Sequence, residues 1–502
     1  MAHARPSPLH WGLGAAGGLA LACCAVAFAA TVPQLSTKSA GFIVVGLGTL
    51  VAMIVSGRAK EVLLAAYILA ITYNRQYFSF DAILGNNGSE GLYWVPADLM
   101  LIMLWGVWLL EGATRTGAPP ISSEPASRII MPVMVFFIGC VLSSLFAERP
   151  DLSFNELTRV IRFVLVLIWL QKNMTRSLWY TAIGAFAASI LIQAGLGTLQ
   201  VVLKADRNLL SVIGIEGKQV VTADGQVDLI DNRARGTLGH PNYLAPYLLN
   251  LLPACLGVVL YSRVRLTRLV ALGVLAAGVA GMIATKSRGP IALMAVTFLL
   301  VCLAAVKDRR LSLRVAAGGT VLVLSVAAVV CAYYADAIYQ RIWGDFGASV
   351  EFRSEYNAAA LAIWDDAPIL GIGLNNISRG LARHAPLFHW LTLQLEQFHG
   401  TAAVRAFAPV HNVYLLFLAE TGLVGLAGFL ILLAGVLYRS VRAYRMSDGA
   451  TRGLCLGLAI GFMAQCVQQT IDFSQWFDPG WYTLAVLMAI VGCVPRLRPT
   501  LQ

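Results

Sequence analysis

The chain alternates long apolar blocks with short polar breaks. About fourteen blocks are long enough, or nearly so, to cross a bilayer core as helices, which takes about 20 residues. They lie near 11–32, 41–57, 60–73, 95–112, 129–147, 158–171, 179–203, 243–261, 267–285, 290–306, 313–334, 412–438, 451–471 and 481–494. The third and the last are short, so the pattern predicts about 12–14 spanning helices. Two polar stretches are long, 204–242 and 335–411. The expected architecture is an all-α polytopic membrane protein with one large periplasmic loop. Residues 1–334 would form the first eleven spans, 335–411 the loop, and 412–502 the C-terminal helices.

Composition supports this reading. Of 502 residues, 58% are hydrophobic and 13% charged, against about 25% charged in soluble domains. The nine cysteines fall within apolar segments, with no disulfide framework and no spacing for zinc. The first block resembles a signal peptide at "AFAAT", but its apolar run is long for one, and it reads as an uncleaved helix.

Charge sets the orientation. With the N-terminus inside, Arg58, Lys60, Lys172, Arg176, Arg263, Arg265, Arg268, Lys307, Arg309, Arg310, Arg439, Arg442, Arg445 and Arg452 fall in inner loops, as the positive-inside rule requires. An even number of spans then leaves both termini cytoplasmic.

The same topology leaves cations at outer helix ends. Arg159 and Arg162 are three apart, on one helical face. Lys286 and Arg288 lie in "TKSRGP", a tight turn between two spans. Arg233 and Arg235 precede "GTLGHPN". Charge near the hydrocarbon is costly and generally functional, and guanidinium forks match phosphate oxygens. These arginines point to an anionic ligand presented from the membrane. The bland alternative is headgroup contact or ion pairing with nearby carboxylates.

In "HNVYLLFLAETG", His411 opens an apolar helix beside Asn412, and Glu420 lies within it. A histidine at a loop-to-helix junction can accept a proton near neutral pH. Glu420 is nine residues on, facing away from His411 on a regular helix, and is expected to pair with a buried arginine or join a polar network. Gln465, Gln468, Gln469 and Asp472 form an i, i+3, i+4, i+7 stripe, read as interhelical bonding or as the lining of an acceptor cavity. In the second loop, "EYNAAALAIWDDAPILGIGLNN" predicts a helix stopped by Pro368 and a turn at Gly371 and Gly373. The adjacent Asp365 and Asp366 read as structural.

Four segments together resemble the O-antigen ligase and Wzy-type polymerase superfamily: "RARGTLGHPNYLAPYLL" (233–249), "TKSRGPIALMAV" (285–296), "RSEYNAAALAIWDDAPILGIGLNNI" (353–377) and "HNVYLLFLAETGLVGLAGFLILL" (411–433). The resemblance is specific over 230–435. It implies a bacterial inner-membrane glycosyltransferase of the GT-C kind, with its site on the periplasmic face. Such enzymes move a glycan from undecaprenyl pyrophosphate to an acceptor hydroxyl, without metal or other cofactor and with inversion. Ligases use the lipid A-core sugar of lipopolysaccharide. Polymerases extend another lipid-linked glycan, in O-antigen or exopolysaccharide.

By the same resemblance, Arg233, Arg288 and Arg353 would bind pyrophosphate, with Arg235 beside the motif and Arg159 and Arg162 in the same ring. Arg288 would also stabilise the leaving group. His411 would take the hydroxyl proton, with Asn412 positioning it and Asn242 and Glu420 in support. The leading expectation is an O-antigen ligase and the runner-up a polymerase. Outside the enzyme class stand a secondary transporter and a non-catalytic export scaffold. No nucleic acid partner is expected, and no ATP-binding loop occurs.

Overall fold

The computed structural model describes residues 48, 49, 51, 53, 55–73, 77–78, 93–114, 127–202, 219–221, 227–229, 233–315, 318, 346–384 and 410–497. The expected first span, most of the second and almost all of the eleventh lie outside these residues, as do loop segments 203–218 and 385–409.

Thirteen helices are described. They are α1 Ala59–Ile71, α2 Pro96–Thr114, α3 Ser127–Leu145, α4 Pro150–Asn173, α5 Arg176–Val202, α6 Pro241–Tyr261, α7 Arg265–Ala284, α8 Arg288–Lys307, α9 Phe346–Asp366, α10 Ile377–His384, α11 Val413–Met446, α12 Gly449–Gln468 and α13 Asp478–Leu497. Two antiparallel ribbons join Tyr77–Phe78 to Tyr93–Trp94 and Gln219–Val221 to Val227–Leu229. Six of the described helices, α5, α6, α7, α8, α11 and α12, are long and apolar enough to cross a membrane. The protein is an all-α polytopic membrane protein. Helix α1 has 13 residues, a rise of about 20 Å against a hydrocarbon core of about 30 Å, so this short block cannot cross by itself as a straight helix.

Helix α6 is the buried axis, packed by α7, α8 and α12. Its approach to α12 is set by small residues. A methyl added at Gly453 would run into the Gly257 carbonyl, at Gly457 into the Pro253 carbonyl, and at Gly461 would lie 2.5 Å from the Asn250 carbonyl. This G-x-x-x-G-x-x-x-G stripe lets two backbones touch where there is no hydrophobic drive between helices in lipid, and dispersion at short range replaces it. Elsewhere, Phe136 of α3, Phe163 of α4, Phe417 and Phe429 of α11 and Trp481 of α13 form one aromatic cluster, with Phe417 stacked on Phe429 at 4.4 Å.

Helix α11 is broken. Gly422 has φ 62° and ψ −165°, a conformation open almost only to glycine. The segment 368–373, leading out of α9, fills the break. The amides of Leu423 and Val424 donate to the carbonyls of Pro368 and Ile369. The carbonyls of Ala419 and Glu420 accept from the amides of Ile372 and Gly373. Backbone groups orphaned inside an apolar bundle cost several kcal/mol apiece, and here the docked segment pairs them. As predicted, α9 ends before Pro368, and Gly371 and Gly373 turn the chain with φ 68° and 102°.

One expectation is corrected. The stripe from Gln465 to Asp472 does not stay on one helix. Helix α12 ends at Gln468 and Gln469 is its C-cap, so Asp472 lies in the turn 469–477 that leads through a short 3₁₀ segment, Ser474–Trp476, into α13.

Candidate active site

The turn 469–477 lies against several of the residues singled out in the sequence. Asn412 is the N-cap of α11: its Oδ1 accepts from the amides of Tyr414 at 3.0 Å and Leu415 at 3.2 Å. That cap fixes the chain direction immediately after His411. The next amide, Val413, donates to the Gln469 carbonyl at 3.0 Å, tying the start of α11 to the turn. The His411 ring meets Phe473 edge-on at 4.8 Å and Tyr356 of α9 at 6.1 Å. Arg353 lies three residues before Tyr356, on the same face of α9.

Asp472 is 4% exposed. Its carboxylate accepts from the Phe473 amide at 2.7 Å and the Gln468 side chain at 3.4 Å. Burial pushes this carboxyl up to about 6; the Phe473 amide, Gln468 and the charge of Arg353 pull the other way. Gln468 lies against Gly289 of α8: a methyl added there would come 3.0 Å from its Oε1. The neighbour of Gly289 is Arg288, the first residue of α8, with its side chain exposed. The His411 ring thus packs on this turn, the charge of Arg353 on α9 acts on its Asp472, and Arg288 opens α8 one residue before Gly289, which packs against Gln468 and Ile471. Phe473 and Tyr356 carry no polar signal in the sequence, whereas Asp472 was expected in a polar stripe lining an acceptor cavity. Asp472 was visible as a polar residue in an apolar block, but its partners come from helices distant in sequence.

The two loop motifs are bonded to each other. Arg233 donates from Nε to the Thr285 carbonyl at 2.7 Å, and from Nη2 to Ser287 Oγ at 2.8 Å and Asn242 Oδ1 at 3.1 Å. The Ala234 amide donates to the Ala284 carbonyl. Asn242 also accepts from Ser287 Oγ, and its amide donates to His240 Nδ1, the N-cap of α6. Arg235 differs from Arg233: it is 8% exposed, and its amide and that of Gly236 are held by Gln200 Oε1 of α5. Arg233 is therefore the half-buried member of the pair, beside the turn that presents Arg288.

Arg159 and Arg162 are placed otherwise. Arg159, 2% exposed, pairs with Glu156, lies 3.3 Å from Asp478, and donates to the Tyr93 hydroxyl and the Trp476 carbonyl. Arg162 pairs with Asp98 at 2.6 Å and lies 3.7 Å from Asp478. The sequence grouped both with the phosphate-binding arginines; the structure turns both onto carboxylates of α2, α4 and α13. Isolated buried charge is too costly to persist, so such partners are obligatory.

Glu420, 1% exposed, accepts from the amide of Ile377, the first residue of α10, at 3.3 Å. This bond joins α11 to the start of α10. Asp366, at the end of α9, pairs with His384 at 2.7 Å.

A helical bundle with six described helices long and apolar enough to cross a membrane, one of them broken at Gly422, defines a class: an integral membrane protein. Within it, residues 271–430 match the family described as O-Antigen ligase. The match spans α7 to the first half of α11 and includes Arg288, Arg353, His411, Asn412 and Glu420. No curated protein matches the chain.

Proposed function

We propose that this protein is a glycosyltransferase of the outer face of the bacterial inner membrane, with both termini cytoplasmic. It moves a glycan from undecaprenyl pyrophosphate to a sugar hydroxyl, by preference the lipid A-core acceptor of a ligase. The observation that supports this reading is that His411 packs on Phe473 of turn 469–477, beside Arg353, whose charge acts on Asp472, and α8, which Arg288 opens, with His411, Arg353 and Arg288 all within the segment that matches the ligase family.

The chemistry follows from the groups present. The acceptor oxygen attacks the anomeric carbon. The bond from that carbon to the phosphate oxygen breaks, and pyrophosphate leaves with the electron pair. Exposed Arg288 and half-buried Arg353 and Arg233 stabilise the charge growing on it. The neutral imidazole of His411 takes the hydroxyl proton. Attack opposite the leaving group inverts the sugar centre, and no metal enters the scheme. Arg159 and Arg162 act through Trp476 and Asp478, holding the turn in place. Arg235 supports Arg233 from within the loop. Loop 335–411 carries acceptor choice, since loops on a rigid frame hold specificity.

The test is surface-polysaccharide profiling of a deletion strain complemented with wild type, His411→Ala or Arg288→Ala, with lipid-linked intermediates isolated alongside. A ligase leaves long lipid-linked chains that never reach lipid A-core. A polymerase leaves single lipid-linked repeats. Normal glycan in both variants at normal protein levels defeats the reading and returns the transporter and scaffold alternatives.

A further inference from the structure

A small polar cavity lies beside the turn 469–477, between α6, α12 and α13. Asn250, Gln465, Gln475 and Thr483 line it together with the rings of Tyr243 and Phe477. The four polar residues are 3–6% exposed. Asn250 Oδ1, Gln465 Oε1, Gln475 Nε2 and Thr483 Oγ1 have no hydrogen-bond partner among the described residues. Buried polar atoms are nearly always paired, and each one left unpaired costs about 1–3 kcal/mol. Four residues from four separate places in the chain, each with one unpaired polar atom, line one cavity and form a built site.

The chemistry of the lining selects the occupant. Two acceptors, one donor and one hydroxyl match a neutral group that both gives and takes hydrogen bonds. Among the described lining residues there is no cation to hold a carboxylate or phosphate, and no anion to hold an amine. The cavity measures about 30 Å³, room for about two water-sized groups. It does not stand apart from the reacting end. A line of rings runs from His411 to Phe473 at 4.8 Å, Phe473 to Phe477 at 5.4 Å, and Phe477 to Tyr243 at 4.4 Å. The last two rings border the cavity or its approach. An aromatic row ending in unpaired amides suits a sugar ring lying on apolar faces with one arm inserted.

We infer that this cavity is a specificity subsite that receives a neutral hydroxyl-bearing arm, such as a hydroxymethyl, of the glycan undergoing transfer, and that Asn250, Gln465, Gln475 and Thr483 read it. The inference rests on the glycosyltransferase reading and adds to it the residues that choose the sugar. A site built to bond a hydroxyl strongly rejects the analogue lacking it, because its own polar groups are then left unpaired.

The test uses the full chain in lipid nanodiscs, with lipid-linked glycan and rough lipopolysaccharide from the deletion strain as substrates. Product is read as attached or elongated glycan. Thr483→Val and Gln465→Met keep the shape and remove the hydrogen bond. The expected result is a rise in KM for one glycan substrate of about tenfold per variant, with kcat nearly unchanged and no loss of melting temperature. Thr483→Ser keeps the hydroxyl and is expected to restore the wild-type KM. Wild-type KM in Thr483→Val and Gln465→Met, or a lowered melting temperature with kinetics unchanged, overturns the subsite and leaves a cavity of structural water. Loss equal in Thr483→Ser and Thr483→Val also overturns it. The two principal variants sit on different helices, so either one that folds gives the answer. His411→Ala separates the two claims: if it transfers normally, or wild type makes neither product, the enzyme reading itself fails and takes this inference with it.

Discussion

The amide of Gly373 donates to the carbonyl of Glu420 at 2.9 Å, joining the loop after α9 to the middle of a membrane helix. The Glu420 carbonyl also accepts from Ser143 Oγ at 2.8 Å, so α3, α11 and the docked segment meet at one oxygen. The break at Gly422 makes this possible. A side chain there would have to adopt φ 62° and would press into the Ile369 carbonyl. Gly422→Ala is expected to cost about 1–3 kcal/mol for the dihedral alone, with further loss as segment 368–370 is pushed out. Thermal unfolding in detergent reads it; an unchanged melting temperature would show that the docked segment is not what stabilises the break.

The arginines should separate into two kinds. Removing Arg159 leaves Glu156 and Asp478 buried with a partner lost, at a cost of about 3–5 kcal/mol. Arg288 is exposed, and its loss should change stability by no more than about 0.5 kcal/mol while abolishing glycan transfer. Melting temperature and surface glycan, measured on Arg159→Ala and Arg288→Ala together, give opposite patterns if the assignment holds.

Asp472 predicts a pH effect of definite sign. Its folded pKa, about 6, lies above the ordinary 3.8, so the native state holds this proton more tightly than the unfolded chain. The associated stability is fully present below about pH 4 and is lost as pH rises through 6, up to about 3 kcal/mol. Asp472→Asn removes that dependence. The difference in melting temperature between variant and wild type should therefore favour the variant more at pH 7.5 than at pH 4.5. A difference independent of pH would count against a buried, desolvated carboxyl.

Asn412 caps α11 with two amides. Asn412→Ala is expected to cost about 0.5–2 kcal/mol and to lower transfer by loosening the chain beside His411. Asn412→Ser, which can cap in the same way, should restore both. Recovery of stability without recovery of transfer would give Asn412 a direct role at the substrate.

Much of this was legible in the sequence. The apolar blocks placed the described spanning helices, because a backbone in lipid must pair its own polar groups and helices do so locally. The G-x-x-x-G-x-x-x-G run at 453–461 was not singled out in the sequence; the structure shows it packed against α6. The Pro368, Gly371 and Gly373 pattern announced the end of α9 and the turns. It did not announce that the turned segment docks into another helix, since the break at Gly422 sits within an unbroken apolar run. Arg159 and Arg162 show the limit most clearly. Their spacing placed them on one face, but their partners Asp98 and Asp478 are far away along the chain.

The sequence by itself thus determined that the chain is a helical membrane protein and where its charges fall along each helix. These follow from local hydrogen bonding and from the cost of placing polar atoms in hydrocarbon. Tertiary structure alone decided which arginines are neutralised inside the bundle and which are left exposed, that Phe473 stands against His411, and that four residues with unpaired polar atoms line one cavity. Each depends on contacts between helices distant in sequence, and no local pattern of side chains encodes which helices meet.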